Sequence, residues 1–417
     1  LENLNYENVI VAPADGGNTK FHKERKMKKI IAAAAGLMLA GTMVSSASAV
    51  ESQFGGYWRT RAVSQQDFNG TDGDFTQADT RTRLYYTAVF NENFKFVNKF
   101  EFDNVFGDDV GGDVGADGKI FEVKNSYADF TTGKVRFKVG TQGATIARGF
   151  IMADDFSGIY AGANLGDAAL LQFLWVKTEE EEAVGTEGDV YGFLPIFTVS
   201  DQLSVTPYVI YNDTETNGAE VFWAGADVDF STDNMSLWGT AIYSDGDFDF
   251  DDRLANDSAS GWLLAAGGSA GMIHGQAFYA SGDSTTDSDV DAFVSAPGQS
   301  YYWAEIMGYG IFDENGLTGS PNDKISNVMA ANVGVKTKVS EKLTLGGDLW
   351  YAALAEDDAN GADELGVEVD LIATYAIYDN LNLDLVAAYL FAGDAVSTDG
   401  NNEEDPIEVG ARLSLAF

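Results

Sequence analysis

From Thr80 to Asp103 the chain reads TRTRLYYTAVFNENFKFVNKFEFD, and its side chains alternate with a period of two. Thr82, Leu84, Tyr86, Ala88 and Phe90 share one face, while Arg81, Arg83, Tyr85 and Thr87 share the other. After Asn91-Glu92-Asn93 the alternation resumes, with Phe94, Phe96, Phe100 and Phe102 against Lys95, Lys99, Glu101 and Asp103. Such alternation marks β-strands, and a short Asn-rich break marks a hairpin turn. The polar face carries enough charge that it must be wet, yet the apolar face is rich in aromatics. A strand of ~13 residues, rising ~3.4 Å per residue at ~40° tilt, spans about 30 Å, the thickness of a bilayer's hydrocarbon core. The hairpin is built to face lipid on one side and water on the other.

The same pattern recurs along the chain. Alternating segments lie at about 52–66, 77–90, 94–106, 120–131, 134–142, 157–164, 168–178, 188–199, 203–213, 219–231, 235–245, 258–269, 272–283, 326–339, 343–355, 363–377, 381–393 and 406–417. The connections alternate between short and long. Asn91-Glu92-Asn93, Thr132-Gly133, Asn164 to Asp167, Ser200-Asp201-Gln202, Thr232-Asp233-Asn234, Ser340-Glu341-Lys342 and Tyr378-Asp379-Asn380 are short; 107–119, 178–187, 246–257, 284–325, 356–362 and 394–405 are long. Short turns at one end and long loops at the other are the signature of a transmembrane β-barrel; a soluble sandwich offers no reason for the asymmetry. The segments predict an all-β, antiparallel barrel of about 18 strands, with 16 as the alternative. An even count puts both termini on the short-turn, periplasmic side. The stretch 284–325 reads three ways: a hairpin arm, a loop folded over the mouth, or a missed strand around Tyr301–Ile306.

The first 49 residues stand outside this pattern. Met27-Lys28-Lys29, the apolar run Ile30–Val44 and Ala47-Ser48-Ala49 form a secretory signal peptide over 27–49, so the barrel is expected to occupy 50–417. Residues 1–26 precede that start and are expected to be a non-native upstream extension. Lys23-Glu24-Arg25 could be encoded by a purine run resembling a bacterial ribosome-binding site. Cysteine is absent, which removes disulfides and thiolate metal sites. A formal charge of −40 excludes a nucleic-acid binder, and 45% hydrophobic residues argue against disorder.

The last segment alternates through Ile407, Val409, Ala411, Leu413 and Leu415 to a terminal Phe417. Here the chain resembles the outer-membrane porins of Gram-negative bacteria, whose final strand typically ends in Phe. With the signal peptide and the turn/loop alternation, the resemblance covers all of 50–417. It implies an integral protein of the outer membrane, in contact with the lipid bilayer and lipopolysaccharide, and it implies a homotrimer.

Twelve of the 19 basic residues after position 49 lie between Arg59 and Arg148. By parity Arg59, Arg61, Arg81, Arg83, Lys99, Arg136 and Lys138 all face the lumen, as a cationic wall on neighbouring strands. Two readings remain open. The wall conducts, because intramembrane charges are usually functional; or it pairs with lumenal acids such as Glu101 and Asp103 and stiffens the barrel. In porins the third loop often folds into the bore, so the resemblance makes 144–156 the candidate constriction loop. Asp154 and Asp155 would then oppose the wall, with Arg148 nearby. Opposed charge rows make a transverse field that orients polar solutes.

Acidic runs in the long loops suggest loosely held Ca²⁺ or Mg²⁺, although none has EF-hand spacing and such runs are more often solvated faces. No other cofactor is expected. His274 is the one histidine after position 49. A hydrolase would need it beside a serine and an orienting polar group; a lone lumenal histidine is usually polar lining, so no enzyme is expected. The reading is a water-filled porin for passive diffusion of small hydrophilic solutes and ions. The alternatives are a specific channel for anionic solutes (carboxylates, acidic sugars or polysaccharide) and a structural barrel that sheaths or anchors a partner.

Overall fold

The computed structural model describes residues 50–68, 74–108, 111–114, 121–181, 186–214, 219–248, 257–284, 290–396 and 404–417. Residues 1–49, over which a signal peptide and an upstream extension are expected, lie outside the described residues, as do parts of the acidic loop runs. The strands, in chain order, are β1 (Glu51–Gln66), β2 (Phe75–Asn91), β3 (Phe94–Val105), β4 (Phe121–Thr132), β5 (Val135–Ile146) and β6 (Met152–Asn164). Next come β7 (Ala169–Glu181), β8 (Thr186–Phe193), β9 (Ile196–Ser200), β10 (Leu203–Thr214), β11 (Ala219–Ser231), β12 (Met235–Phe248) and β13 (Asp257–Ala270). The chain ends with β14 (Ile273–Ala280), β15 (Val328–Lys338), β16 (Leu343–Ala353), β17 (Glu364–Tyr378), β18 (Leu381–Ala392) and β19 (Ile407–Ala416).

Each strand pairs antiparallel with its sequence neighbours, and β1 pairs with both β2 and β19, so the sheet closes. The short β8 and β9 lie end to end, both bonded to β7 and β10. They are one staff broken at Leu194-Pro195, where proline has no N–H to give the ladder. The barrel therefore has 18 staves, as the alternation predicted. Closure is completed at the C-terminus. Gly56 N–H donates to the Phe417 carbonyl at 2.7 Å, and Phe417 N–H donates back to Gly56 at 3.1 Å. A Cβ at position 56 would sit 2.5 Å from the Phe417 ring, so the closing ring needs glycine beneath it.

The outer face is apolar around the circumference. Leu84, Phe96, Val139, Phe173, Val209, Leu237, Leu264, Val333, Leu349, Leu371, Leu385 and Val409 are all exposed and all outward by register. Aromatic pairs mark both rims. Phe90 stacks on Phe94 at 4.6 Å toward the short turns, and Tyr243 leans on Trp262 at 4.5 Å toward the long loops. Such a band flanked by aromatic girdles is the lipid-facing surface of a transmembrane barrel.

The inner face divides in two. On β2 to β5 it is charged and half exposed. On β7 to β18 many inward residues are apolar and buried, among them Leu174, Val176, Ile210, Trp223, Ile242, Leu263, Phe278, Trp350 and Leu390. Two inserts bury them. One is the tip of the β5–β6 hairpin, whose Phe150 and Ile151 are fully buried. The other is the connection between β14 and β15, whose described residues 290–327 fold into the bore rather than over it or into a further strand. Its Phe293, Trp303, Ile306, Met307, Phe312 and Ile325 are fully buried. Phe150 stacks on Tyr301 at 3.9 Å, and Trp303 packs edge-on against Trp350 at 5.2 Å. A barrel of 18 staves is too wide for wall side chains to fill. Here the chain fills much of the remainder with its own hydrophobic core, so water is confined to part of the bore.

Candidate conduction pathway

The described part of this insert, 290–327, runs from β11 past β17 and β19 to β1, as its contacts show. Near its start the Val294 carbonyl accepts from Trp223 Nε1 on β11 at 2.8 Å. Midway the Glu368 carboxylate on β17 accepts from the backbone N–H groups of Ile306 and Met307 at 2.7 and 2.8 Å. Phe312 then lies over Gly410 of β19, where an added Cβ would come within 2.3 Å of its ring. The far side is held by Arg61 of β1. Its Nε donates to Asp79 Oδ2 at 2.6 Å, Nη1 donates to the Phe312 carbonyl and to Asp313, and Nη2 donates to Glu314.

The β5–β6 connection departs from the expected loop over 144–156. The ladder continues to the pair Ile146 and Met152, leaving only five residues between strands. Ala147 and Arg148, at φ 50° and 60°, and Gly149 at φ 101° turn the tip in the left-handed region. The apolar tip residues explain the inward course, since Phe150 and Ile151 would otherwise face water. Arg148 does not join the basic wall. It reaches β11, where Nη2 lies 2.5 Å from Asp229 Oδ1 and the guanidinium sits 4.7 Å from the Trp238 ring centroid. Asp155 touches the wall rather than opposing it across a gap: it lies 2.9 Å from Lys124 Nζ and accepts from Asn125 at 3.0 Å. Asp154 is exposed and accepts from the Asp155 N–H at 2.7 Å.

The rest of the wall faces inward as parity required. Arg81 forms a two-pronged pair with Asp103 at 2.8 and 2.6 Å, and Arg83 donates to Glu101. Arg136 holds Asp129 the same way at 2.8 and 2.6 Å, with Lys95 Nζ 3.4 Å from that carboxylate. Lys99 lies 5.1 Å from the Tyr85 ring and Lys138 5.4 Å from the Tyr127 ring. Arg59 is buried, its Nη2 3.8 Å from Asp313. Lys124, which parity alone did not single out, is the unpaired residue of a β-bulge between Val123 and Asn125. The bulge lets residues on both sides of it serve the lumen.

The wall is inward-facing and paired at once. The cations are paired, and some of their acids stand behind them: Glu101 and Asp129 are buried, whereas Arg81, Arg83, Lys95, Lys99, Lys124 and Arg136 are half exposed; Asp103 and Asp155 are half exposed too, and Arg59, Arg61 and Lys138 are buried. At mid-height and above, the described inward side chains that meet open space are mainly those of β2 to β5. Toward the short turns the lumen widens, and Asp227, Trp238, His274, Asn332 and Thr374 are half exposed too. The half-exposed inward side chains thus lie along the basic wall and toward the short turns.

His274 Nε2 lies 2.8 Å from Asp348 Oδ1, which also accepts from Asn332 at 2.6 Å. Ser269, in the run Gly267-Gly268-Ser269-Ala270-Gly271, stands opposite His274 in the ladder. Its hydroxyl bonds Ser236 at 2.9 Å instead, on a regular strand rather than at a sharp strand-to-helix turn. Among the described residues no group of three or more His, Asp or Glu is placed to hold a metal ion.

No protein-family model and no curated protein matches the chain. Solved structures do. OccAB1 of Acinetobacter baumannii superposes with a TM-score of 0.59 at 11% identity, over 92% of this chain and 99% of that one. OpdQ of Pseudomonas aeruginosa gives 0.57 at 13% identity, over 88% and 98%. OprD of the same organism gives 0.55 at 13%, over 90% and 99%. At these identities the shared property is the fold, a closed antiparallel β-barrel.

Proposed function

We propose that this chain is an integral outer-membrane channel through which small hydrophilic solutes and ions diffuse down their gradients, without catalysis. The observation that carries the reading is the strip of half-exposed charged side chains along β2 to β5, the side of the bore that the inserts leave wet. A lipid-facing exterior around a polar, continuous strip is what passive conduction requires. The two inserts make the passage narrow for a barrel of this strand number, so solutes are screened by size and charge in the same place.

One observation favours the more specific reading, a preference for anionic solutes such as carboxylates and acidic sugars. The charged ends of Arg83, Lys95 and Arg136 present themselves to the bore while their acids Glu101 and Asp129 are turned into the wall, and Asp103 and Asp155 stand half exposed beside Arg81 and Lys124. A passing anion therefore meets donors first. The sheath reading has less support, because the chain's own insert already occupies the space a threaded partner would take. A homotrimer is the finer proposal for assembly, supported by an apolar depression on the outer face of β11 to β14, where Ala226, Gly239, Ala241 and Ala266 lie between the exposed Val228, Leu264 and Tyr279.

Solute flux into proteoliposomes tests the proposal. Glucose should enter measurably, and glucuronate, a similar size with one carboxylate, should enter several-fold faster at low salt. Equal rates would remove the anion preference, and no entry of either would remove the channel.

A further inference from the structure

On the side of the bore away from the basic wall, four carboxyl groups are packed out of water. Glu368 and Asp370 project inward from β17, Glu408 from β19, and Glu305 reaches them from the insert; their exposures are 0, 3, 1 and 2%. The ladder sets them in rows. Asp370 stands opposite Ala388 of β18, and Ala388 stands opposite Glu408, so one methyl group separates two carboxyls. Some of their oxygens are satisfied. Glu368 takes the two N–H groups of Ile306 and Met307, Glu305 Oε2 accepts from Ile311 N–H at 2.9 Å, and Glu408 Oε2 accepts from Gln65 at 2.7 Å. Three others, Glu305 Oε1, Asp370 Oδ1 and Glu408 Oε1, are buried with no partner among the described residues.

The surrounding charges do not neutralise the cluster. From β1, Arg61 is taken by Asp79 of β2 and by Asp313 and Glu314 of the insert. From β19, Arg412 is taken by Asp384 of β18 at 2.9 Å. From β16, Asp348 adds a further acid in the row of Asp370, held by His274 and Asn332. Four ionised carboxylates without a counter-charge are untenable in so dry a place, whereas carboxylic acids are not, since an O–H can donate to an oxygen that otherwise lacks a partner. A metal ion would serve as well, but the donors are not arranged around one.

We propose that Glu305, Glu368, Asp370 and Glu408 form a proton-binding latch that seats residues 304–314 in the bore. While the cluster holds its protons, the insert is bonded to β17 and β19. When the protons leave to water, like charges accumulate beneath the insert and it lifts from that wall. The direction follows from Glu305, whose carboxyl burial pushes up from the ordinary 4.5 to about 7. A group that holds its proton more tightly when seated favours seating fully below pH about 4.5. It surrenders that preference as pH climbs to about 7. Raising pH therefore opens the latch.

The test uses the absence of cysteine. Met307, fully buried in the seated insert, is changed to cysteine as a single reporter, and Glu92→Cys in an exposed turn corrects for the rise in thiolate with pH. Corrected maleimide labelling at Met307→Cys should rise roughly ten-fold or more between pH 5 and pH 8. Adding Glu305→Gln, Asp370→Asn and Glu408→Gln, neutral side chains that still offer donors, should abolish the rise; Glu305→Gln alone should reduce it. Flat labelling in the parent, or an undiminished rise in both variants, would overturn the latch. Labelling triggered at pH 5 by a chelator would overturn it in favour of a bound cation. Conductance recorded alongside rests on the channel reading: labelling that rises without any current would contradict that reading and leave the latch standing.

Discussion

Replacing Arg61 with alanine is expected to raise single-channel conductance several-fold and to lower the temperature at which the barrel unfolds. Arg61 ties the insert to β1 and β2 through Asp79, the Phe312 carbonyl, Asp313 and Glu314, beside the uncharged ties from Gln77 to Glu314 and from Asn315 to Gln65. It is buried, so its removal leaves acids without a counter-charge in a dry site. Breaking a buried pair from one side costs about 3–5 kcal/mol, and here several acceptors lose their donor together. Arg59 offers little rescue, with one contact to Asp313 at 3.8 Å. The cheapest relief is for Asp313 and Glu314, already half exposed, to turn into water while Ile311 and Phe312 stay packed, which widens the passage against β1 and β2. The cross-strand ladder does not depend on Arg61, and Trp303 still packs on Trp350, so the barrel itself should persist. Arg61→Lys should fall between, since an ammonium cannot fork across this set of acceptors. Unchanged conductance in Arg61→Ala would mean that the insert does not limit the passage.

The second large effect is expected from Arg81→Ser with Arg83→Ser. Both guanidinium groups line the passage, and both lean on Glu101, which is buried. Removing them takes two positive charges from the narrow region and unmasks the carboxylates of Glu101 and Asp103. A unit charge about 4 Å from a passing ion is worth about 1 kcal/mol even in bulk-like water. The anion-to-cation permeability ratio should therefore fall about ten-fold or more, read as a shift of reversal potential toward the cation value. The shift should shrink at high salt, where the Debye length shortens to about 3 Å at 1 M. A reversal potential that does not move would show that ions take another route.

The barrel was legible because it depends on period and punctuation. Alternation of Leu84, Phe96 or Val409 with polar neighbours reports the lipid face residue by residue, and Asn-rich or Asp-Asn turns report the short-turn end. The basic wall was legible for the same reason, since parity alone puts Arg59, Arg61, Arg81, Arg83, Lys99, Arg136 and Lys138 inside. The plug was less legible, although a signal was present. In Ala169–Val176, ALLQFLWV, and Ala259–Ala266, ASGWLLAA, the alternation gives way to runs that are apolar on both faces. Strands buried on both faces read this way, and an apolar inner face in a wide barrel needs something apolar to cover it. The 281–327 connection carries matching residues, Phe293, Trp303, Ile306, Met307 and Phe312. Two features were out of reach. The bulge at Lys124 shifts parity by one without a glycine to announce it, and Arg148 finds Asp229 across the bore, a contact that no local pattern encodes.

The measurement that bears most directly on a narrow, basic, off-centre passage is the single-channel conductance of the unmodified barrel in a planar bilayer, with a salt gradient to give the reversal potential. The structure predicts a small unitary conductance for a barrel of 18 strands and a reversal potential on the anion side, stronger at low salt. A large ohmic conductance with cation preference would contradict it, because ions would then be passing where the insert is seated.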